Sequence, residues 1–148
     1  MANVQPWTRE SFSYFTQLQT RWSDNDIYRH VNNAVYYHLV DTVVNGYLLE
    51  SGVLDIERSD VVGLVVETRC NYFAPLVYPQ RIDGGLAVER VGRSSIIYKV
   101  GLFAEGANSS AALAHFVHVY VERDTHKPTE IPAPLRAAVE RLGINTAQ

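Results

Sequence analysis

The first predicted element is a strand, because polar and apolar side chains alternate along residues 14–22. Thr16, Leu18 and Thr20 lie on one side of this stretch, and the polar Gln17 and Gln19 lie between them. A period of two is typical of a strand that buries one face. A polar loop over residues 23–26 follows the strand.

One long helix is predicted over residues 34–50, and Ser51 and Gly52 end it. Its polar residues fall at positions i, i+3, i+4 and i+7 and form one narrow stripe: His38, Asp41, Thr42 and Asn45. Most other positions are apolar, so we expect this helix to be buried over most of its circumference.

Four further strands are predicted after the helix, in segments rich in valine, isoleucine and tyrosine. They cover residues 61–73, 81–91, 94–103 and 111–122. Because the connections between them are short, we expect consecutive strands to be antiparallel neighbours. A short helix is predicted over residues 134–142, with Pro134 in its first turn and Gly143 after its end. The simplest packing is an α+β fold in which an antiparallel sheet curls around the long helix.

Composition narrows the class of protein but not its chemistry. A length of 148 residues and a hydrophobic content of 47% predict a single domain with a real core. The net charge of −3 argues against a general nucleic-acid binder. A single cysteine, Cys70, excludes an internal disulfide framework and fits a reducing compartment. Neither a signal peptide nor a membrane-spanning run is recognisable, so we expect a cytoplasmic protein that does not enter a membrane.

Polar residues that could carry chemistry are densest just before the long helix, over residues 21–33. A helix N-terminus presents free backbone N–H groups, which can stabilise negative charge on a carbonyl oxygen. A nearby carboxylate, Asp24 or Asp26, could then act as a nucleophile or as a general base. Aspartate and asparagine are also the usual residues of turns and helix caps, and Asn32 or Asn33 could simply cap the helix. The residues alone leave both interpretations open and do not separate the two aspartates.

This segment resembles a known signature. The stretch from Trp22 to Asp26, followed by His30-Val31-Asn32-Asn33 and Tyr36, resembles the signature of hotdog-fold thioesterases. The group that it resembles most is the 4-hydroxybenzoyl-CoA thioesterase-like family of acyl-CoA thioesterases, and the pattern is also similar to acyl-ACP thioesterases. The resemblance extends over about residues 14–133 and implies a five-stranded antiparallel sheet wrapped around one long central helix.

The resemblance also implies roles for particular residues. Asp26 matches the catalytic carboxylate, which acts as a nucleophile or as a general base. The backbone N–H of about Asn33 matches the oxyanion hole, and His30 matches a histidine of the acyl-ACP enzymes. Tyr28 stands where the acyl-ACP pattern has asparagine, which is a departure from that group.

The family's active site forms between two subunits, so the resemblance implies a homodimer or a dimer of dimers. It implies no metal and no organic cofactor. Four further residues are candidates for substrate contact: Tyr36, Ser94, Ser95 and Glu67. Turn formation is the alternative role of the two serines, and a cross-strand ion pair is that of Glu67.

The expected function is hydrolysis of an acyl-CoA thioester. The alternatives are an acyl-ACP thioesterase and a non-catalytic hotdog protein that binds acyl thioesters.

Overall fold

The computed structural model describes residues 3–144, in which five antiparallel strands form one sheet in the order β1-β3-β4-β5-β2. The strands are β1 (Tyr14–Gln19), β2 (Val61–Tyr72), β3 (Arg81–Val91), β4 (Ser95–Ala104) and β5 (Ala112–Glu122). Two α-helices accompany them, α1 (Val35–Glu50) and α2 (Ala133–Glu140). This α+β arrangement is consistent with the hotdog fold that the sequence suggested.

Helix α1 contributes one face to the main core, so it is less buried in the single chain than its pattern predicts. Its buried residues repeat at helical spacing: Tyr36, Leu39, Val40, Val43, Val44, Tyr47 and Leu48. In the predicted polar stripe, His38, Asp41 and Thr42 are exposed and Asn45 is half-buried. The short helix α2 also enters this core through Leu135 and Val139. The core therefore contains side chains from two helices rather than from one.

The first strand is shorter than its alternation predicts. Strand β1 ends at Gln19, and Trp22–Asp24 forms a 3₁₀ turn instead of continuing the strand. The Asp24 side chain accepts a hydrogen bond from the backbone N–H of Arg21, which closes this turn. Local side-chain hydrogen bonding of this kind competes with strand pairing. The other predicted strands are correct to within one residue at each end.

The prediction that strands β2 and β3 would be neighbours is wrong. Strand β2 pairs only with β5 at one edge of the sheet, whereas β3 lies between β1 and β4. The segment over residues 73–80 therefore crosses from one part of the sheet to another. Its backbone bonds to the loop before α1, through Leu76 C=O to Val31 N–H at 2.8 Å. The other two short connections join neighbouring strands, as predicted.

A second, smaller cluster covers the other face of the sheet. It consists of Trp7, Phe12, Ala87, Phe103 and Leu113. A Cβ atom at Gly85 or Gly101 would lie 2.8 or 2.7 Å from the Phe12 ring, so only glycine lets this ring lie flat on the strands. The segment before β1 is thus held against the sheet. Within residues 3–144, no helix is long and apolar enough to cross a membrane.

His118 lies inside the main core, while His115 points from the same strand to the opposite face. Their odd spacing in β5 predicts this difference. His118 is 2% exposed and packs edge-on against the rings of Phe116, Tyr98 and Tyr120. Burial lowers the pKa of His118 from 6.5 to about 4.

We expect His118 to weaken the fold in mild acid. Below pH 6.5 the unfolded chain binds a proton that the folded chain does not bind, until the folded pKa of about 4 is reached. The free energy of unfolding should therefore fall over this range by up to about 3 kcal/mol. Chemical denaturation of the wild type and His118→Phe at several pH values measures the effect, since phenylalanine keeps the ring without a titrating group. The difference between the two proteins should change with pH, and parallel pH curves would contradict the prediction.

Candidate active site

Asp24 is a structural residue of the loop between β1 and α1. Its side chain is 2% exposed and accepts hydrogen bonds from Arg21 backbone N–H at 2.8 Å, Nε at 3.1 Å and Nη2 at 2.9 Å. Its backbone carbonyl accepts the N–H of Asn32 at 2.8 Å. Asp24 therefore joins the start of the loop to its end, and both of its carboxylate oxygens are occupied.

Asp26 occupies a tight turn that leaves part of its carboxylate free. Oδ1 accepts the Tyr28 N–H at 2.8 Å, while Oδ2 has no hydrogen-bond partner within residues 3–144. The turn is closed by two backbone bonds of 3.0 Å, from Asp26 N–H to His30 C=O and from Arg29 N–H to Asp26 C=O. Arg29 adopts a φ of 67°, which completes the reversal. The structure thus separates two aspartates that the sequence left equivalent.

The start of α1 leaves the backbone N–H of Asn33 unused. Asn32 Oδ1 accepts the Ala34 N–H at 2.9 Å, and Asn32 C=O accepts the Val35 N–H at 2.9 Å. The Asn33 N–H has no acceptor among the residues that the structure describes. Asn32, and not Asn33, is therefore the residue that stabilises the helix start. The Asn33 carbonyl accepts the Tyr72 hydroxyl at 3.0 Å, so the end of β2 also holds this turn.

A cleft of about 560 Å³ brings several of the predicted residues together. It is lined by Asp26, Tyr28, His30, Val31, Asn33, Tyr36, Tyr72, Phe73, Ala74 and Pro75. Four of the proposed site residues, Asp26, His30, Asn33 and Tyr36, thus share one space. Burial raises the pKa of the Tyr36 phenol, so this hydroxyl stays protonated at neutral pH.

Sequence reasoning missed the part of the wall that β2 and the following loop supply. The Tyr72 ring packs edge-on against the Tyr36 ring, with 4.8 Å between their centroids. The spacing between Asn33 and Tyr72 in the sequence gives no sign that the Tyr72 hydroxyl donates a hydrogen bond to the Asn33 carbonyl. Predicting this contact requires the correct strand order, because β2 lies at the edge of the sheet and meets the start of α1 from there.

A second cleft, of about 370 Å³, also borders the Asp26 turn. It is lined by Trp22, Asn25, Asp26, Arg29, Tyr78 and Pro79. Asp26 is the one residue that borders both clefts. The cleft is fixed in part by the Asn25 side chain, whose Oδ1 accepts the Tyr78 N–H at 3.1 Å.

Three predicted substrate contacts lie outside both clefts of the single chain. Glu67 Oε1 lies 2.9 Å from His115 Nε2, on the face of the sheet opposite α1. Ser95 pairs with Val119, at the opposite end of β5 from the Tyr72 pairing. Ser94 C=O accepts the Tyr120 N–H at 2.7 Å in the adjoining turn. One chain alone therefore does not bring these residues to Asp26.

The residues that the structure describes form no cluster of metal-binding side chains. Within residues 3–144, no group of three or more histidine, cysteine, aspartate or glutamate side chains is placed to hold a metal ion.

Comparison with known proteins agrees with the fold. Residues 20–139 match the family model of the thioesterase-like superfamily. The chain belongs to this superfamily. The match begins just before the Asp24 turn and extends into α2.

Two solved structures share the fold over most of the chain, and a sequence relative matches a shorter part of it. The PA5185 protein of Pseudomonas aeruginosa strain PAO1 is 50% identical, with a TM-score of 0.93 over 97% of this chain and 99% of the other. Slr0204 of Synechocystis, a 1,4-dihydroxy-2-naphthoyl-CoA thioesterase, is 16% identical, with a TM-score of 0.78 over 85% of this chain and 94% of the other. The uncharacterized protein YsmA of Bacillus subtilis is 24% identical over 103 residues, which is 69% of each chain.

We expect the two aspartates to differ in their effect on stability. Asp24→Asn places an NH₂ group against the Arg21 donors in a buried position, and should lower the free energy of unfolding by about 1–3 kcal/mol. Asp26→Asn keeps an oxygen that can accept the Tyr28 N–H, so this change should alter the free energy of unfolding by less than about 0.5 kcal/mol. Urea denaturation of both variants checks this, and equal losses would contradict the assignment of Asp24 as the structural residue.

Proposed function

We propose that this protein hydrolyses an acyl-CoA thioester to the free acid and coenzyme A. The observation that supports this most directly is the pairing of Asp26, with its free Oδ2, and the unused Asn33 N–H in one cleft. In a member of the thioesterase-like superfamily, a carboxylate and an oxyanion donor are the two groups that the reaction needs. In this proposal α1 is the central helix around which the sheet wraps.

The Asn33 N–H is the proposed oxyanion donor. It lies at the start of α1, where the unpaired N–H groups and the helix dipole favour negative charge. As the thioester carbon becomes tetrahedral, its oxygen gains negative charge and accepts this N–H. One such donor is typically worth about 3–4 kcal/mol of the barrier. The Tyr72 hydroxyl positions this turn through the Asn33 carbonyl.

Asp26 is the proposed reacting carboxylate. Either Oδ2 attacks the thioester carbon and forms an anhydride that water then hydrolyses, or it removes a proton from the water that attacks. The C–S bond breaks in both routes, and coenzyme A leaves as a thiolate. A thiolate is a good leaving group, so the reaction needs no strong general acid. Water is the only co-reactant, and the reaction requires no metal or organic cofactor.

His30 and Tyr36 are proposed to contact the substrate. Both line the cleft with Asp26, His30 at its exposed rim and Tyr36 at its buried side. Tyr28 also lies in this wall, at the position where the acyl-ACP pattern has asparagine. This departure favours coenzyme A over acyl carrier protein as the carrier. We assign the reaction to the cytoplasm, in keeping with the single cysteine.

We expect Asp26→Asn to abolish hydrolysis without unfolding the protein. A panel of acyl-CoA substrates, with the released thiol detected colorimetrically, should show turnover by the wild type and a loss of at least about 1,000-fold in the variant. Asp41→Asn is the matched control, since Asp41 lies on the exposed stripe of α1, outside both clefts. Full activity of Asp26→Asn would contradict the role of Asp26. Hydrolysis of acyl-ACP alone would favour the other carrier, and no hydrolysis at all would favour a binding protein.

We also propose that the working unit is a homodimer, or a dimer of dimers, paired through β2. This edge strand carries the exposed apolar side chains of Leu64, Val65 and Val66, and its outer edge is unpaired within residues 3–144. Antiparallel pairing of two such edges sets the beginning of one β2 beside the end of the other. It would bring Glu67, Ser94 and Ser95 of one subunit towards the cleft of the other.

We expect Val66→Asp to convert the dimer to monomers. Val66 is 60% exposed on the β2 edge, so a charge there should oppose pairing without disturbing the core. Ile144→Asp is the control, because Ile144 is equally exposed but lies beside β3. Analytical ultracentrifugation distinguishes the two states, and a wild type that sediments as a monomer would contradict the proposal.

A further inference from the structure

Three hydrogen bonds fix the two peptide groups on either side of Asn33. In the group that precedes it, the Asn32 C=O accepts the Val35 N–H at 2.9 Å. In the group that follows it, the Ala34 N–H donates to Asn32 Oδ1 at 2.9 Å. The Asn33 C=O of that same group accepts the Tyr72 hydroxyl at 3.0 Å. The Asn33 N–H is left without an acceptor in the described part of the chain, and these three bonds set its direction.

The bond from Tyr72 differs from the other two because it comes from outside the turn. The other two bonds join atoms within residues 32–35, so they would move with the turn. The Tyr72 hydroxyl reaches the turn from the end of β2, 39 residues along the chain. It also replaces a helical bond. An α-helix would direct the Tyr37 N–H to the Asn33 C=O, but this N–H donates to the Ala34 C=O at 3.3 Å instead.

Tyr72 is itself firmly held. Its backbone pairs with Ala112 of β5, and the Phe73 N–H donates to the Ala111 C=O at 2.8 Å. Its ring packs edge-on against the buried Tyr36 ring. Desolvation by burial raises the pKa of the Tyr72 hydroxyl, which therefore stays protonated and remains a donor at neutral pH. A residue carried on a strand in this way is placed more precisely than one on a loop.

We propose that Tyr72 is a positioning residue of the reaction: its hydroxyl fixes the backbone at Asn33 and so directs the Asn33 N–H towards the thioester oxygen. This inference rests on the proposed function, in which that N–H is the oxyanion donor. A donor lowers the barrier only if it points to the place where the oxygen gains charge, and a preorganised donor needs no rearrangement at that moment. The contribution of Tyr72 should therefore appear in kcat rather than in KM.

The kinetic test removes the hydroxyl of Tyr72 and keeps its ring. Tyr72→Phe retains the contact with Tyr36, and should lower kcat by about tenfold while KM changes by less than about twofold. The substrate is the acyl-CoA that the wild type hydrolyses fastest. Tyr37→Phe is the matched control, because it removes a phenol hydroxyl from the first turn of α1 but lines neither cleft. An unchanged kcat, or a loss that lies wholly in KM, would overturn the proposal.

A spectroscopic measurement separates this proposal from the proposed function. Asp26→Asn is mixed with acetyl-CoA that carries ¹³C at the thioester carbonyl, and isotope-edited infrared spectra record the C=O stretch. A hydrogen bond from the Asn33 N–H weakens the C=O bond and lowers the stretching frequency. Adding Tyr72→Phe should move the band to higher frequency and broaden it, because the donor no longer keeps one direction. Adding Tyr37→Phe should leave the band unchanged.

The outcomes for the two proposals are distinct. If the band responds to Tyr72→Phe while the wild type hydrolyses no thioester, the positioning role stands and the proposed function fails. If thioesters are hydrolysed but the band does not respond, the positioning role is overturned and the proposed function stands. Absence of any band from bound acetyl-CoA would also overturn the positioning role, since no thioester oxygen would then reach Asn33.

Discussion

Two backbone hydrogen bonds just before α1 hold the parts of the site in one place. The Val31 N–H donates to Leu76 C=O, and the Asn32 N–H donates to Asp24 C=O, each at 2.8 Å. They join the helix start to the loop after β2 and to the loop after β1. Because these bonds end on two adjacent residues, Val31 and Asn32, the Asp26 turn, the Asn33 N–H and the clefts have a fixed relation to one another. The main core supports this arrangement, since the apolar face of α1 is buried in it from Tyr36 onwards.

The same constraint explains why neighbouring aspartates have opposite roles. Asp24 has a structural role, since both of its carboxylate oxygens accept hydrogen bonds from Arg21 and its backbone carbonyl accepts one from Asn32. Asp26, two residues later, borders both clefts and has one oxygen bonded within its own turn, while Oδ2 has no hydrogen-bond partner within residues 3–144. A site of this kind needs both residues: one carboxylate fixes the loop so that the other can remain available for chemistry.

Much of the fold could be predicted from the sequence because periodicity reports burial directly. The residue types of the later segments and the polar stripe of α1 locate β3 and α1 to within a residue. The order of strands could not be predicted, since a short connection is compatible with a crossing segment when that segment finds partners such as Val31 and Asn25. The Tyr72 contact with Asn33 was missed for the same reason. The family resemblance singled out Asp26, whereas the residues alone did not, because hydrogen bonding and not residue type separates it from Asp24.

The most direct test of the central claim is the structure of Asp26→Asn with a bound acyl-CoA. The account predicts the thioester carbonyl oxygen within about 2.7–3.1 Å of the Asn33 nitrogen, with residue 26 beside the carbonyl carbon. A thioester bound with its carbonyl away from the start of α1 would contradict the account.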